Sequence, residues 1–276
     1  MKKTIGIIGF GNMGSSIAEG IKEKYILVVF DKDKSKTADS VGIKVTVDIA
    51  GLAKEADVII LAVKPQDLDP VLEALKHVVK GKLVISIAAG ITTTYIEKNL
   101  GDINVVRAMP NIAVKIGRAE TSLCKGKSAT DRDLEFARKL FEYLGKTWIM
   151  EEEKIDAATA IAGSGPAYIY FDMEKNNYNA KDLPELVKKD YIERLTKAAE
   201  RVGFDLKTAR ELASATTASS IGLSAATNQS PAELRKQVAS KGGTTEAALE
   251  VLSQDGSWEE AAVAAKKRAQ ELSKKE

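Results

Sequence analysis

The chain has 276 residues, enough for one large or two ordinary domains with a real core. A formal net charge of +2 gives no reason to expect nucleic acid as a partner, and a single cysteine, Cys124, excludes an internal disulfide framework and suits a reducing compartment. The one histidine, His77, reads as part of a surface helix, which argues against histidine-based metal or triad chemistry. Met1-Lys2-Lys3 lacks the long apolar run and small-residue cleavage site of a signal peptide, and no run reaches membrane-spanning length. A cytoplasmic protein with no membrane partner is the expectation.

The chain opens with the apolar run Ile5-Gly6-Ile7-Ile8, which breaks into Gly9-Phe10-Gly11-Asn12-Met13-Gly14 and then a helical pattern over 15–24. Strand, G-x-G-x-x-G and helix together predict a dinucleotide site. The first glycine permits the tight turn, the second admits the pyrophosphate, and the third lets helix pack on strand. The helix start then points free amides and its positive dipole end at phosphate. A second apolar run, 26–30, ends in Asp31, where a carboxylate would accept from ribose hydroxyls and repel a 2′-phosphate. That favours NADH over NADPH, although Lys32, Lys34 and Lys36 follow closely and offset the repulsion.

Further strand-like runs at 44–47, 58–63, 83–87, 105–108, 120–123 and 147–150 are spaced by helical patterns at 51–55, 70–79, 93–100 and 129–144. This alternation predicts a doubly wound, Rossmann-type parallel sheet over residues 1–150, with ligands outside the carboxyl ends of the strands. Three strand ends carry distinctive residues: Ala62-Val63-Lys64-Pro65-Gln66, Ala88-Ala89-Gly90 and Arg107-Ala108-Met109-Pro110-Asn111. Beyond the charged run at 151–154 the strand-like runs cease and the pattern is helical to residue 276. Long apolar segments at 155–161, 209–226 and 261–272 look too exposed for a free-standing domain, so 151–276 is expected to be an all-helical dimerisation domain. Two of its segments stand out chemically: Gly163-Ser164-Gly165-Pro166, where small residues admit close approach, and Ser240-Lys241-Gly242-Gly243-Thr244-Thr245, before a helical pattern. The second suits an anion site, and equally an ordinary N-cap by Thr244 or Thr245.

Together, GFGNMG at 9–14, AVKPQ at 62–66, VVRAMPN at 105–111, GSGPAY at 163–168 and GGTT at 242–245 resemble the pyrroline-5-carboxylate reductase family in order and spacing. The resemblance spans nearly the whole chain. It implies reduction of 1-pyrroline-5-carboxylate to proline, the last step of proline biosynthesis, by hydride transfer from NAD(P)H without metal or covalent intermediate. It further implies that Ile8, Gly9, Phe10, Gly11, Asn12, Met13, Asp31, Ala62, Val63, Lys64, Pro65 and Ala88 meet the cofactor. Ser240, Gly242, Gly243 and Thr244 would anchor the carboxylate of a cyclic imino acid, and Thr245 would orient or help protonate the imine as the catalytic residue. A homodimer is implied, with a higher assembly of dimers as a further possibility.

The chain departs from the family's pattern at Lys241, which replaces a proline and is expected to loosen the turn, at Ile112-Ala113, at Ile49 and at Asn228. Residues 172–191 have no counterpart and are expected to break one long helix into two pieces, either altering assembly or forming a surface excursion. Two alternatives keep the dinucleotide loop but change the function: an imine reductase with another substrate, and a dinucleotide-binding dimer that catalyses nothing.

Overall fold

The computed structural model describes residues 2–38, 40 and 42–273. The chain divides into two compact units, one of Met1–Met109, Ser122–Glu152 and Ser273–Glu276, the other of Pro110–Thr121 and Glu153–Leu272.

The first unit is built on an eight-stranded sheet in the order β3-β2-β1-β4-β5-β6-β7-β8. Its strands are β1 (Thr4–Ile8), β2 (Ile26–Phe30), β3 (Lys44–Val45), β4 (Val58–Leu61), β5 (Leu83–Ser86), β6 (Asn104–Met109), β7 (Ala119–Lys125) and β8 (Gly145–Ile149). Helices α1 (Asn12–Ile21), α2 (Ile49–Glu55), α3 (Leu68–Leu75), α4 (Thr93–Leu100) and α5 (Asp131–Glu142) fill the crossovers. Strands that pack helices on both faces read as unbroken apolar runs, and all of Val58–Leu61 and Leu83–Ser86 is buried. Pairing is parallel from β3 through β6. The expected doubly wound parallel sheet is borne out over these strands, while β6 and β7 pair antiparallel. The connection, 110–118, is too short for a parallel crossover, so the chain turns straight back. His77 is exposed in the turn after α3 rather than on the helix, and Cys124 is buried in β7.

Because the chain runs from β1 outward through β2 and β3 and then returns to β4 on the other side, the sheet reverses direction between β1 and β4. In doubly wound sheets that reversal opens a crevice at the strands' carboxyl ends. A buried charge lies further along the same sheet: Arg107 on β6 is 1% exposed, with Nη1 3.5 Å from Glu152 Oε1. The Glu152 carboxylate also accepts from the Thr93 amide (2.8 Å) and hydroxyl (2.7 Å) at the start of α4.

The second unit is helical. Helix α6 (Glu152–Ala158) passes into a π turn, Thr159–Gly163, followed by α7 (Gly165–Lys175), α8 (Glu185–Arg201), α9 (Leu206–Thr227), α10 (Pro231–Val238), α11 (Thr244–Ser253) and α12 (Trp258–Ser273). The segment 172–191 is not continuous helix. Helix α7 stops at Lys175, Asn177 takes a left-handed φ of 54°, and Pro184 immediately precedes the first residue of α8. The segment is more than a surface excursion, since Tyr191 is fully buried and Leu183 and Ala180 nearly so. Tyr191 stacks on Trp258 at 5.6 Å between ring centroids, and the Arg194 guanidinium lies 4.1 Å from the centroid of the same ring. The Asp172 carboxylate on α7 accepts from the Tyr191 hydroxyl and from Arg194 Nη1, both at 2.9 Å. Burial, reinforced by the Asp172 charge, pushes the Tyr191 hydroxyl well above the ordinary tyrosine range.

The expectation that the apolar segments of this half lie exposed is corrected. Ile155, Ile161, Ala209, Leu212, Ala213, Leu223, Ala261, Ala262, Ala265 and Ala269 are all buried within the chain. The alanines among them let helices approach closely, so the chain covers most of its own apolar stripes. The large exposed hydrophobics of this unit, among the described residues, are Leu186, Leu206 and Val263.

Since the Tyr191 ring is wholly enclosed, Tyr191→Ala removes a stacked aromatic and leaves a cavity. Chemical denaturation should show a loss of about 3–5 kcal/mol. A loss below about 1 kcal/mol would place the ring outside the core.

Candidate functional site

In the first unit, the glycine-rich turn sits at the reversal point. The Gly9 amide donates to the Phe30 carbonyl (2.8 Å) and the Ala62 amide to the Ile8 carbonyl (2.8 Å), so the ends of β1, β2 and β4 are tied together there. Gly9 has a φ of 97°, and a Cβ on it would come within 2.7 Å of the Ala62 carbonyl. Only glycine fits both the conformation and the approach. A Cβ on Gly14 would collide with the Gly9 carbonyl oxygen, whereas a Cβ on Gly11 would meet nothing within 4 Å. The three glycines thus divide as expected: turn, open approach, and helix packing.

Gly11 precedes α1 without a side-chain cap, and the first turn of α1 carries no acidic residue. Its amides and dipole therefore face outward unneutralised, which fits a pyrophosphate. Asn12 is exposed, Met13 half-buried and Phe10 buried. The Asp31 carboxylate, 6% exposed, accepts from the Phe10 amide (2.7 Å) and the Asp33 amide (2.9 Å), with Lys36 Nζ 3.6 Å away. Sequence reasoning gave Asp31 a ligand role; the structure also makes it a brace for the glycine turn. Lys32 pairs with Asp67 at 2.6 Å. Val63, Lys64 and Pro65 follow β4, with Pro65 opening a 3-10 turn, Pro65–Asp67, and Ala88 lies buried just beyond β5. Ile8, Asp31, Ala62 and Ala88 therefore all lie at carboxyl ends of strands, where the expectation put them. Ile49, by contrast, begins α2 and packs partly buried against the core behind Asp48, its N-cap.

In the second unit, residues 240–245 form a turn leading into α11. Gly242 takes a left-handed φ of 70°, and the Gly243 amide donates to the Ser240 carbonyl (2.9 Å). The turn is clasped at both groups of Gly242. Its amide donates to Glu246 Oε2 (2.7 Å), and its carbonyl accepts from Arg268 Nε on α12 (2.8 Å). The expectation that Lys241 loosens the turn is thereby offset by two contacts that the sequence pattern did not reveal.

The N-cap reading of the threonines is overturned. Gly243 occupies the cap position with no side-chain cap bond, and both threonine hydroxyls turn instead toward Ser164. Thr245 Oγ1 donates to Ser164 Oγ at 3.1 Å, and Thr244 Oγ1 shares a hydrogen bond with the same oxygen at 3.1 Å. Ser164 is fully buried between the π turn and α7. It was absent from the residues expected to bind, although the small-residue segment that holds it stood out. Three hydroxyls thus converge at an uncapped helix N-terminus, an arrangement able to bind a carboxylate and hydrogen-bond a second polar group. Ser240 is exposed beside it.

Asn111 braces the second unit elsewhere. Its Oδ1 accepts from the Ala113 and Glu120 amides (both 3.2 Å) and its Nδ2 donates to the Ala162 carbonyl (3.1 Å). It caps the 3-10 turn Ile112–Ile116, so the departure at Ile112-Ala113 leaves the asparagine in a structural role. Asn228 ends α9 with a left-handed φ of 51° and accepts from Lys181 Nζ at 2.7 Å. No group of three or more His, Cys, Asp or Glu able to hold a metal occurs among the described residues. Nor, among them, is any helix long and apolar enough to cross a membrane.

Comparison with known proteins covers both units. Residues 4–90 match the family described as NADP oxidoreductase coenzyme F420-dependent, and residues 190–272 match pyrroline-5-carboxylate reductase dimerisation. Pyrroline-5-carboxylate reductase 2 of Bacillus subtilis is 33% identical, covering 95% of this chain and 90% of its own. The pyrroline-5-carboxylate reductase of Methanosarcina acetivorans is 34% identical and covers 98% of each. A solved pyrroline-5-carboxylate reductase from Coxiella burnetii is 32% identical with a TM-score of 0.65, over 99% of this chain and 100% of that one. The Plasmodium falciparum pyrroline carboxylate reductase, solved with NADP bound, is 25% identical with a TM-score of 0.64 over 98% of each chain. With matches that run across both the glycine-turn unit and the helical unit, the chain belongs to the pyrroline-5-carboxylate reductase family.

Proposed function

We propose that the protein reduces 1-pyrroline-5-carboxylate to proline with a nicotinamide dinucleotide as hydride donor, as the last step of proline biosynthesis. The observation that carries this reading is the convergence of Thr244, Thr245 and Ser164 at the uncapped start of α11, in a chain of this family. A scaffold that bound dinucleotide without catalysis would need no such cluster, and neither alternative function is favoured by a specific contact.

In this reading the pyrophosphate lies over Gly9, Phe10, Gly11, Asn12 and Met13 at the open N-terminus of α1. The rest of the cofactor runs past Ile8, Asp31, Ala62–Pro65 and Ala88. Ser240, Gly242, Gly243 and Thr244 hold the substrate carboxylate, with the Ser240 and Thr244 hydroxyls as donors and the α11 dipole favouring negative charge, while the Gly242 and Gly243 amides shape the turn through Glu246 and the Ser240 carbonyl. Thr245 meets the imine nitrogen. A protonated imine is the better hydride acceptor, so a polar partner at that nitrogen lowers the barrier, while most of the acceleration comes from holding ring and nicotinamide in register. The protein works in the cytoplasm as a homodimer, for which the dimerisation match over 190–272 is the support, and assembly of dimers into larger rings is a further possibility.

NADH is the preferred donor in this proposal. The Asp31 carboxylate closes β2 and opposes a 2′-phosphate, while Lys36, 3.6 Å away, tempers that repulsion without removing it.

Oxidation of NADH and NADPH with 1-pyrroline-5-carboxylate tests the reading directly. Substrate-dependent turnover is expected, faster with NADH, and Thr245→Ala should lower kcat by about a hundredfold while cofactor binding is retained. Cofactor binding with no turnover would sink the enzyme reading. Asp31→Asn keeps an acceptor for the Phe10 amide but removes the charge. It should move kcat/KM toward NADPH by about tenfold, equal to ~1.4 kcal/mol. An unchanged ratio, or a wild type already faster with NADPH, would remove Asp31 from cofactor selection.

A further inference from the structure

We propose that Ser164 is a positioning residue that sets the polarity of Thr244 and Thr245, making the pocket specific for a cyclic iminium carboxylate rather than a neutral imine. The inference rests on the reductase reading above and concerns contacts wholly within the helical unit.

A hydroxyl has one proton to give and lone pairs to receive. Thr245 Oγ1 donates its proton to Ser164 Oγ at 3.1 Å. With that proton committed, Thr245 can offer a ligand only lone pairs. It therefore accepts from an N–H, which the protonated imine has and the neutral imine lacks. Ser164 and Thr244 are also 3.1 Å apart, and either atom can be the donor by distance and angle. A carboxylate is acceptor-only and settles the choice. When Ser164 donates to Thr244, the Thr244 proton is free for the carboxylate, whereas the opposite sense would face lone pairs toward an anion. The three hydroxyls then form one directed chain: Thr245 to Ser164 to Thr244 to carboxylate.

Such a chain has an acceptor at the end facing the ring nitrogen and a donor at the end facing the carboxylate. It matches a ligand that is positive at one end and negative at the other. Ser164 suits this task because it is fully buried and its backbone is fixed. Its amide donates to the Thr159 carbonyl at 2.8 Å, where the π turn joins α7. Removing its oxygen frees both rotors. Thr245 can then donate to a neutral imine and stabilise the poorer hydride acceptor.

The test compares wild type with Ser164→Ala, using 1-pyrroline-5-carboxylate as substrate across pH and two inhibitors of one shape. Proline presents a ring N–H donor, and tetrahydrofuran-2-carboxylate presents a ring oxygen that only accepts. The variant should lose about tenfold in kcat with the cofactor KM unchanged. The sign of the pH effect follows from the chain. Wild type favours the charged imine and raises its bound pKa, so the variant's alkaline limb should move to lower pH, by about one unit. The wild-type preference for proline over the oxygen analogue should narrow by about tenfold.

A uniform loss of activity with unshifted limb and unchanged inhibitor ratio would make Ser164 merely structural and overturn the proposal. No turnover in wild type would overturn the reductase reading itself, and this inference with it. If Ser164→Ala does not fold, Ser164→Cys, whose thiol is a weak donor and acceptor, should shift limb and ratio in the same directions. Wild-type values in a folded Cys variant would likewise overturn it.

Discussion

The close approach of Gly9 to Ala62 governs the architecture of the nucleotide unit. It brings the ends of β1 and β4 near enough that a single methyl group on Gly9 would strike the Ala62 carbonyl. The strand order reverses at that place, and the adjoining helix α1 presents bare amides there. Tight backbone contact behind the turn thus leaves open space in front of it. Asp31 completes the arrangement by accepting from the Phe10 amide, so a residue read as a ligand contact also holds the turn's shape.

Much of this was legible in the sequence because its causes are local. Apolar runs, most of them bounded by glycine or proline, marked the strands of the sheet, and the spacing of Gly9, Gly11 and Gly14 encoded their separate tasks. The antiparallel turn of β7 was less visible, since it depends on the length of the 110–118 connection rather than on the strand's residues. In the helical unit, alanine-rich stretches looked too apolar to lie free. What composition could not show is that these stretches pack within the chain, α9 against α8 and α7, with Tyr191 and Trp258 stacked and buried in the same unit.

The candidate substrate site was half legible. Glycines followed by threonines at a helix start announced an anion site, yet the same letters describe an ordinary cap. The difference lies in where the hydroxyls turn, and that is decided by Ser164, eighty positions away in chain order from Thr244. Long-range partners of this kind leave no periodic signal. Arg268 and Glu246, which hold the two backbone groups of Gly242, were similarly hidden: each sits in a helical pattern as an unremarkable charge.

The Arg268 contact ties the substrate turn to α12, a helix whose described portion ends at Ser273. Helix termini open more readily than interiors, and Arg268 lies within the last two turns of α12. The shape of the 240–245 turn is therefore coupled to the integrity of α12. Fraying of α12 that reached Arg268 would free the Gly242 carbonyl and slacken the turn while the glycine-rich unit stayed intact. In the proposed reductase, such a change would register as a weakened hold on the imino acid with dinucleotide binding spared.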